Sequence, residues 1–165
     1  EKLAVAMLAE ALEQLGDDFA LLAFASNGRG DVRATSVKGF SETYGADAVA
    51  RLAGLSSGLS TRLGTALRHA GAVIAPVRSF RKVILVLTDG EPSDIDVAAG
   101  DLVADARRVV LQLRGQGIDT FGVTLDPAGV GSGPAIFGKA NAMPVRRVED
   151  LPMRLSELYF RLARR

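Results

Sequence analysis

Lys82-Val83-Ile84-Leu85-Val86-Leu87-Thr88-Asp89-Gly90-Glu91 decides the fold: five consecutive aliphatic residues run into a threonine, an aspartate and a glycine. A short unbroken apolar run bounded by turn residues reads as a strand inside a sheet. It is far shorter than the roughly 20 apolar residues a membrane-spanning helix needs, and direct membrane insertion is not expected. Helical patterns flank it. Upstream, Leu63, Ala66, Leu67, Ala70, Val73 and Ile74 recur at helical spacing until Pro76 ends the pattern. Downstream, Leu102, Ala106, Val109, Val110 and Leu113 mark a further helix that Gly117 closes, and Thr120 to Leu125 forms another apolar strand.

Further out the alternation continues. Leu3, Met7, Leu8, Ala11, Leu12 and Leu15 predict an opening helix that stops at Gly16, and Phe19 to Phe24 predicts a strand covered on both faces. The turn-rich Ser26 to Asp31 leads to a weaker strand from about Val32 to Val37, so these two strands are expected to form an antiparallel edge hairpin. Ala46 to Leu52 predicts a short helix, Met143 to Arg146 a last short strand, and Leu151, Leu155, Leu158, Tyr159 and Leu162 a final helix. Strands alternating with helices predict an α/β fold, a doubly wound, mostly parallel sheet with helices on both faces, in one domain over residues 1–165.

Composition narrows the function classes. With 48% hydrophobic residues and no cysteine, a core is expected without disulfides, and thiolate metal sites and cysteine nucleophiles are excluded. Twenty Lys and Arg against 19 Asp and Glu leave no strong field for nucleic acid, and no nucleic-acid partner is expected. The arginines near the C-terminus are interleaved with Glu149, Asp150 and Glu157, as on a solvated helix face. Gly129 to Gly133 lacks the spacing of a dinucleotide-binding loop, and Arg29-Gly30-Asp31 reads as a glycine turn. His69, the single histidine, has no partner for a two-histidine zinc site.

In doubly wound sheets the ligand crevice lies at the carboxyl ends of the strands. Ser60-Thr61, before a helix, and Thr88-Asp89-Gly90, after the most apolar strand, both fall there. A hydroxyl and a carboxylate at strand ends suit a hard divalent cation such as Mg2+, which prefers oxygen ligands and retains waters. The competing readings are a helix cap for Thr61 and a turn residue for Asp89; Asp94 and Asp96 read as solvated loop residues first, with acceptors behind the metal ligands or partner contacts as the alternative.

Leu59-Ser60-Thr61-Arg62-Leu63-Gly64 and Leu87-Thr88-Asp89-Gly90-Glu91 resemble the second and third metal-site segments of von Willebrand factor A (VWA) domains. That resemblance implies the VWA fold, with Thr61 and Asp89 in the metal-ion-dependent adhesion site. The family's first segment, Asp-x-Ser-x-Ser on the first central strand, does not occur in the sequence, so that strand is expected to be missing from it. Ser26-Asn27-Gly28-Arg29, Ala66 to Gly71, Thr88 to Asp96, Asp105-Ala106-Arg107, Gly117 to Phe121, Thr124-Leu125-Asp126 and Ile136-Phe137-Gly138 narrow the resemblance to the NorD/CbbO type. The resemblance implies a cytoplasmic, non-catalytic adaptor with no catalytic residue. Its implied partners are a MoxR-type AAA+ ATPase, NorQ-like or CbbQ-like, and a target enzyme, nitric oxide reductase first and Rubisco as the alternative. A metal-dependent hydrolase using Asp89 and Asp94 is the competing enzymatic reading.

Overall fold

The computed structural model describes residues 2–56, 58–88, 91–126 and 131–163, with side chains as far as residue 160. The elements follow the order α1 (Lys2–Leu15), β1 (Leu21–Ser26), β2 (Val32–Lys38), α2 (Ala46–Gly54), α3 (Leu63–Ile74), β3 (Lys82–Thr88), α4 (Ala99–Gly115), β4 (Ile118–Leu125), α5 (Gly133–Phe137), β5 (Ala142–Val145) and α6 (Leu151–Ala163). The chain divides into two compact units: residues 1–23, 35–58 and 147–165 form one, and 24–34 and 59–146 the other.

In the second unit β3, β4 and β5 form a parallel three-stranded sheet in that order. Lys82 pairs with Ile118 and Thr88 with Thr124, so β3 and β4 end level; Leu125 pairs with Val145 on the other side of β4. Parallel neighbours need a crossover, which α4 supplies between β3 and β4 and α5 between β4 and β5. The core joins Leu63 and Leu67 of α3, Ala106, Val109, Val110 and Leu113 of α4, and Ile118, Ile136 and Phe137, with Ile84 and Val86 of β3 packed on it. Helices α3 and α4 approach closely at two glycines one heptad apart. A Cβ on Gly71 would stand 2.5 Å from Leu113 Cδ2, and one on Gly64 would collide with the Asp105 carboxylate. Arg68, between these glycines on α3, donates to both Asp105 oxygens at 3.0 and 2.5 Å.

In the first unit α1 packs against α2 and α6, burying Ala4, Ala9, Ala48, Leu52, Leu151, Leu155 and Leu158. Lys2 donates to the carbonyls of Ala53 and Leu55 at the end of α2, where the unsatisfied carbonyls of a helix favour a cation. Lys38 is buried yet satisfied: its ammonium donates to Phe19 O at 2.8 Å and Gly39 O at 3.2 Å and lies 4.0 Å over the Phe19 ring. The Tyr159 hydroxyl donates to Asp17 at 2.7 Å.

β1 and β2 pair in a separate two-stranded sheet. Their connection of five residues is too short for a parallel crossover, so the hairpin expected from the turn residues forms. Two features differ from expectation. β1 begins two residues later than the apolar run Phe19 to Phe24, and both β1 and β3 are only half-buried along their aliphatic stretches, whereas β4 is buried at most positions. The physical reason is position in the sheet. β4 has a neighbour on each edge, whereas among the described residues β3 pairs only with β4, and the two-stranded hairpin has no interior strand.

Candidate functional site

Ser93, in the loop after β3, and the segment entering α3 are tied by backbone pairing. Thr61 N donates to Ser93 O at 3.0 Å in an antiparallel bridge, and Ser26 N, at the end of β1, donates to Ser60 O at 2.7 Å. Thr61 O in turn accepts from Leu63 N at 3.0 Å. With its N–H and C=O both engaged, Thr61 has a fixed backbone at the edge of the loop that follows β3. Thr61 does not cap α3: the cap position belongs to Arg62, and no side chain bonds the first turn there. Asp89 lies outside the described residues, so of the two expected metal ligands the structure describes Thr61 alone.

Arg62 organises the surroundings. Its backbone N–H donates to the buried Ser26 hydroxyl at 3.1 Å, and its guanidinium reaches Asp94 through Nε at 2.5 Å and Asp96 through the other arm of the fork. The Asp94 side chain is fully buried, Arg62 is 14% exposed and Asp96 40%. Asp94 Oδ1 accepts from Gly28 N at 2.6 Å and Ile95 N at 2.8 Å, and Asp96 Oδ2 from Arg29 N at 2.9 Å. Burial pushes the Asp94 carboxyl up, but the N–H groups of Ile95 and Gly28, the Ser26 hydroxyl and Arg62 outweigh it and hold the group below its ordinary range. Asp94 is therefore an internal anchor, not the solvated residue its loop position suggests.

Gly28 makes this possible. Its φ of 77° is left-handed, a conformation that favours glycine, and it turns the chain so that successive N–H groups face the two carboxylates. Asn27 N to Asp31 O at 2.8 Å closes the turn, and Asp31 pairs with Arg33. Arg29-Gly30-Asp31 is thus part of a hairpin turn, as its glycine content predicts.

A second pair of carboxylates holds the segment entering α5. Gly131 N donates to Asp126 at 2.7 Å and Ser132 N to Glu91 at 2.6 Å. These two N–H groups are thus occupied by carboxylates of the chain itself, while Gly129 and Val130 of the glycine-rich loop lie outside the described residues. His69 is exposed on α3. Arg154 pairs with Glu157 at 2.9 Å, as expected of a solvated helix face.

The residues that sequence reasoning missed are Ser26, Gly28 and Arg62. Arg62 sits beside the expected ligand Thr61, but its partners are 32 and 34 residues away. No local periodicity signals a contact at that separation.

The comparisons agree with this architecture. A sequence profile of the von Willebrand factor type A domain matches residues 2–157. Protein NorD of Brucella melitensis is 37% identical over 164 residues, covering 99% of this chain and 26% of the relative. Protein NorD of Stutzerimonas stutzeri is 36% identical over 133 residues, 80% of this chain and 22% of the relative. The chain thus spans about a quarter of the length of the curated relatives it matches. The fold is shared with the conserved hypothetical protein BatB from Bacteroides thetaiotaomicron, at a TM-score of 0.65 and 18% identity over 99% of this chain and 87% of that one. It is shared too with proximal thread matrix protein 1 from the mussel byssus, at a TM-score of 0.66 and 16% identity over 95% of this chain and 40% of that one. The profile match and the NorD similarity, on top of a parallel sheet flanked by helices, establish that the chain belongs to the von Willebrand factor type A domain family.

Proposed function

We propose that this domain is a non-catalytic, divalent-cation-dependent protein-binding adaptor that works with a MoxR-type AAA+ ATPase to activate a target enzyme, nitric oxide reductase. The similarity to NorD proteins over nearly the whole chain carries this reading. Thr61 and Asp89 would hold the cation, Mg2+ in the first instance. The donor chemistry fits: a hydroxyl and a carboxylate are hard oxygen ligands. The fixed backbone of Thr61, bonded to Ser93 and Leu63, supports it, because a ligand with a pinned backbone costs little further ordering. A bound cation with an open coordination position would supply a docking point for a carboxylate of a partner. The setting is cytoplasmic in this reading; among the described residues no helix is long and apolar enough to cross a membrane.

The test is partner binding by the full-length protein to the purified ATPase and the purified reductase, with Mg2+ and with chelator. The adaptor reading expects binding that chelator weakens and that Asp89→Ala weakens to the same extent. Equal affinity with and without chelator would sink the cation-dependent part. Metal-dependent turnover of a phosphoester or peptide substrate, lost in Asp89→Ala, would replace the adaptor by a hydrolase.

A further inference from the structure

Ser26, the last residue of β1, is fully buried, and both chain neighbours of Thr61 are bonded to it. Its N–H donates to Ser60 O at 2.7 Å, and its hydroxyl accepts from Arg62 N at 3.1 Å. A hydroxyl has one proton to give and two lone pairs to offer. Here the proton goes to the buried Asp94 carboxylate, which also accepts from the Arg62 guanidinium at 2.5 Å. The bonds close a ring: Arg62 N–H to Ser26 Oγ, Ser26 O–H to Asp94, and Arg62 Nε–H back to Asp94. Arg62 is thus held at its backbone and at its side chain by the same serine and aspartate.

Water cannot replace this hydroxyl. Ser26 and the Asp94 side chain have no exposed area, and the space vacated by one oxygen is smaller than a water molecule occupies. An Arg62 N–H deprived of Ser26 Oγ would stay unpaired at the full desolvation cost. Desolvation also offsets most of what a buried Arg–Asp pair gains, so the main effect of the ring is on geometry. Thr61 inherits that geometry because it lies between Ser60 and Arg62, with its own N–H on Ser93 O at 3.0 Å. A β-branched side chain has few χ1 choices, so the place of the Thr61 oxygen follows from the place of its backbone.

We propose that Ser26 is a positioning residue for a divalent cation at Thr61: its hydroxyl and its N–H set the place of the Thr61 oxygen, and Ser26 itself touches no cation. The proposal rests on the cation reading of Thr61; the ring of hydrogen bonds does not.

The experiment titrates the full-length protein with Mg2+ by calorimetry, for wild type, Thr61→Val, Ser26→Ala, Ser26→Cys and Gly122→Ala, each below its melting range. The binding that Thr61→Val abolishes defines the site. Gly122→Ala crowds the Phe137 ring and serves as a destabilised control. Loss of a partner behind a metal ligand typically costs about ten- to a hundredfold in affinity, so Ser26→Ala is expected to weaken Mg2+ binding at this site about tenfold or more. Ser26→Cys, similar in shape but a weaker acceptor, is expected to fall between Ser26→Ala and wild type. Gly122→Ala is expected to melt lower yet bind Mg2+ as wild type does. If Ser26→Ala does not fold, Ser26→Cys is read in its place. Wild-type affinity in the folded serine variants, or an equal loss in Gly122→Ala, overturns the positioning role and leaves the cation reading standing. Wild type that binds no Mg2+, or whose binding survives undiminished in Thr61→Val, overturns both.

Discussion

Arg62 Nε lies 2.5 Å from an Asp94 carboxylate that no solvent reaches, and the same guanidinium also holds Asp96. This pair locks the hairpin turn at Gly28 and Arg29 to the loop after β3, directly beside Thr61. Removing the arginine leaves the buried Asp94 carboxylate without a counter-charge, whereas neutralising Asp96 leaves the guanidinium paired with Asp94. Arg62→Ala is therefore expected to lower the melting temperature by several degrees, more than Asp96→Asn, with Arg62→Lys in between because an ammonium cannot span both aspartates as a planar fork does. Thermal denaturation of the three variants checks the order; equal losses would mean the fork geometry is irrelevant.

Gly122 of β4 faces Phe137 of α5 so closely that a Cβ would overlap two ring carbons. Phe137 is 3% exposed, so the ring has nowhere to swing. Gly122→Ala is expected to cost about 1–3 kcal/mol by overpacking. Gly71→Ala meets only the terminal methyl of Leu113 and is expected to cost less. Urea unfolding measures both, and a smaller Phe137→Leu side chain is expected to recover part of the Gly122→Ala loss.

Asp105 and Asp94 predict the acid limb of stability. The Asp105 carboxyl is held below its ordinary range chiefly by its hydrogen bonds to Arg68, and Asp94 is held low by its donors despite burial. A carboxyl depressed in the folded state contributes stability that is complete above its unfolded pKa of about 4 and is lost as pH falls through the lower native value. Melting temperature is thus expected to be insensitive to these groups near neutral pH and to fall at pH below about 4. Asp105→Asn is expected to lower the neutral plateau modestly, since that pair is partly exposed, and to flatten the acid limb. An acid limb identical to wild type would exclude Asp105 as a contributor.

Thr61→Val preserves shape and removes the hydroxyl. Because the backbone of Thr61, and not its side chain, bonds to Ser93 and Leu63, the variant is expected to melt close to wild type without metal. Under the cation reading, the rise in melting temperature on adding Mg2+ to the full-length protein is expected to shrink or vanish. A full Mg2+ response in Thr61→Val would remove the hydroxyl from the ligand set.

Much of the architecture could be read from the chain directly. The run Val83 to Leu87 became β3, the α3 and α4 stripes became the packed core, and Gly16 and Gly117, both at left-handed φ just past their helices, closed α1 and α4 as expected. Helix α5 has no counterpart in the sequence reading, because five residues carry too little periodicity to distinguish. Of the expected site the structure shows position alone: Thr61 bridges to Ser93 in the loop that follows β3.

The sequence by itself determined most of the strands and helices and the family they compose, because local periodicity and motif spacing are written within a few residues. Only the tertiary structure decided that Asp94 is a buried anchor while Ile95 beside it is exposed. Their difference arises from contacts across 32 to 66 residues, Arg62 and Gly28 to Asp94, and only the folded chain brings such partners within hydrogen-bonding distance.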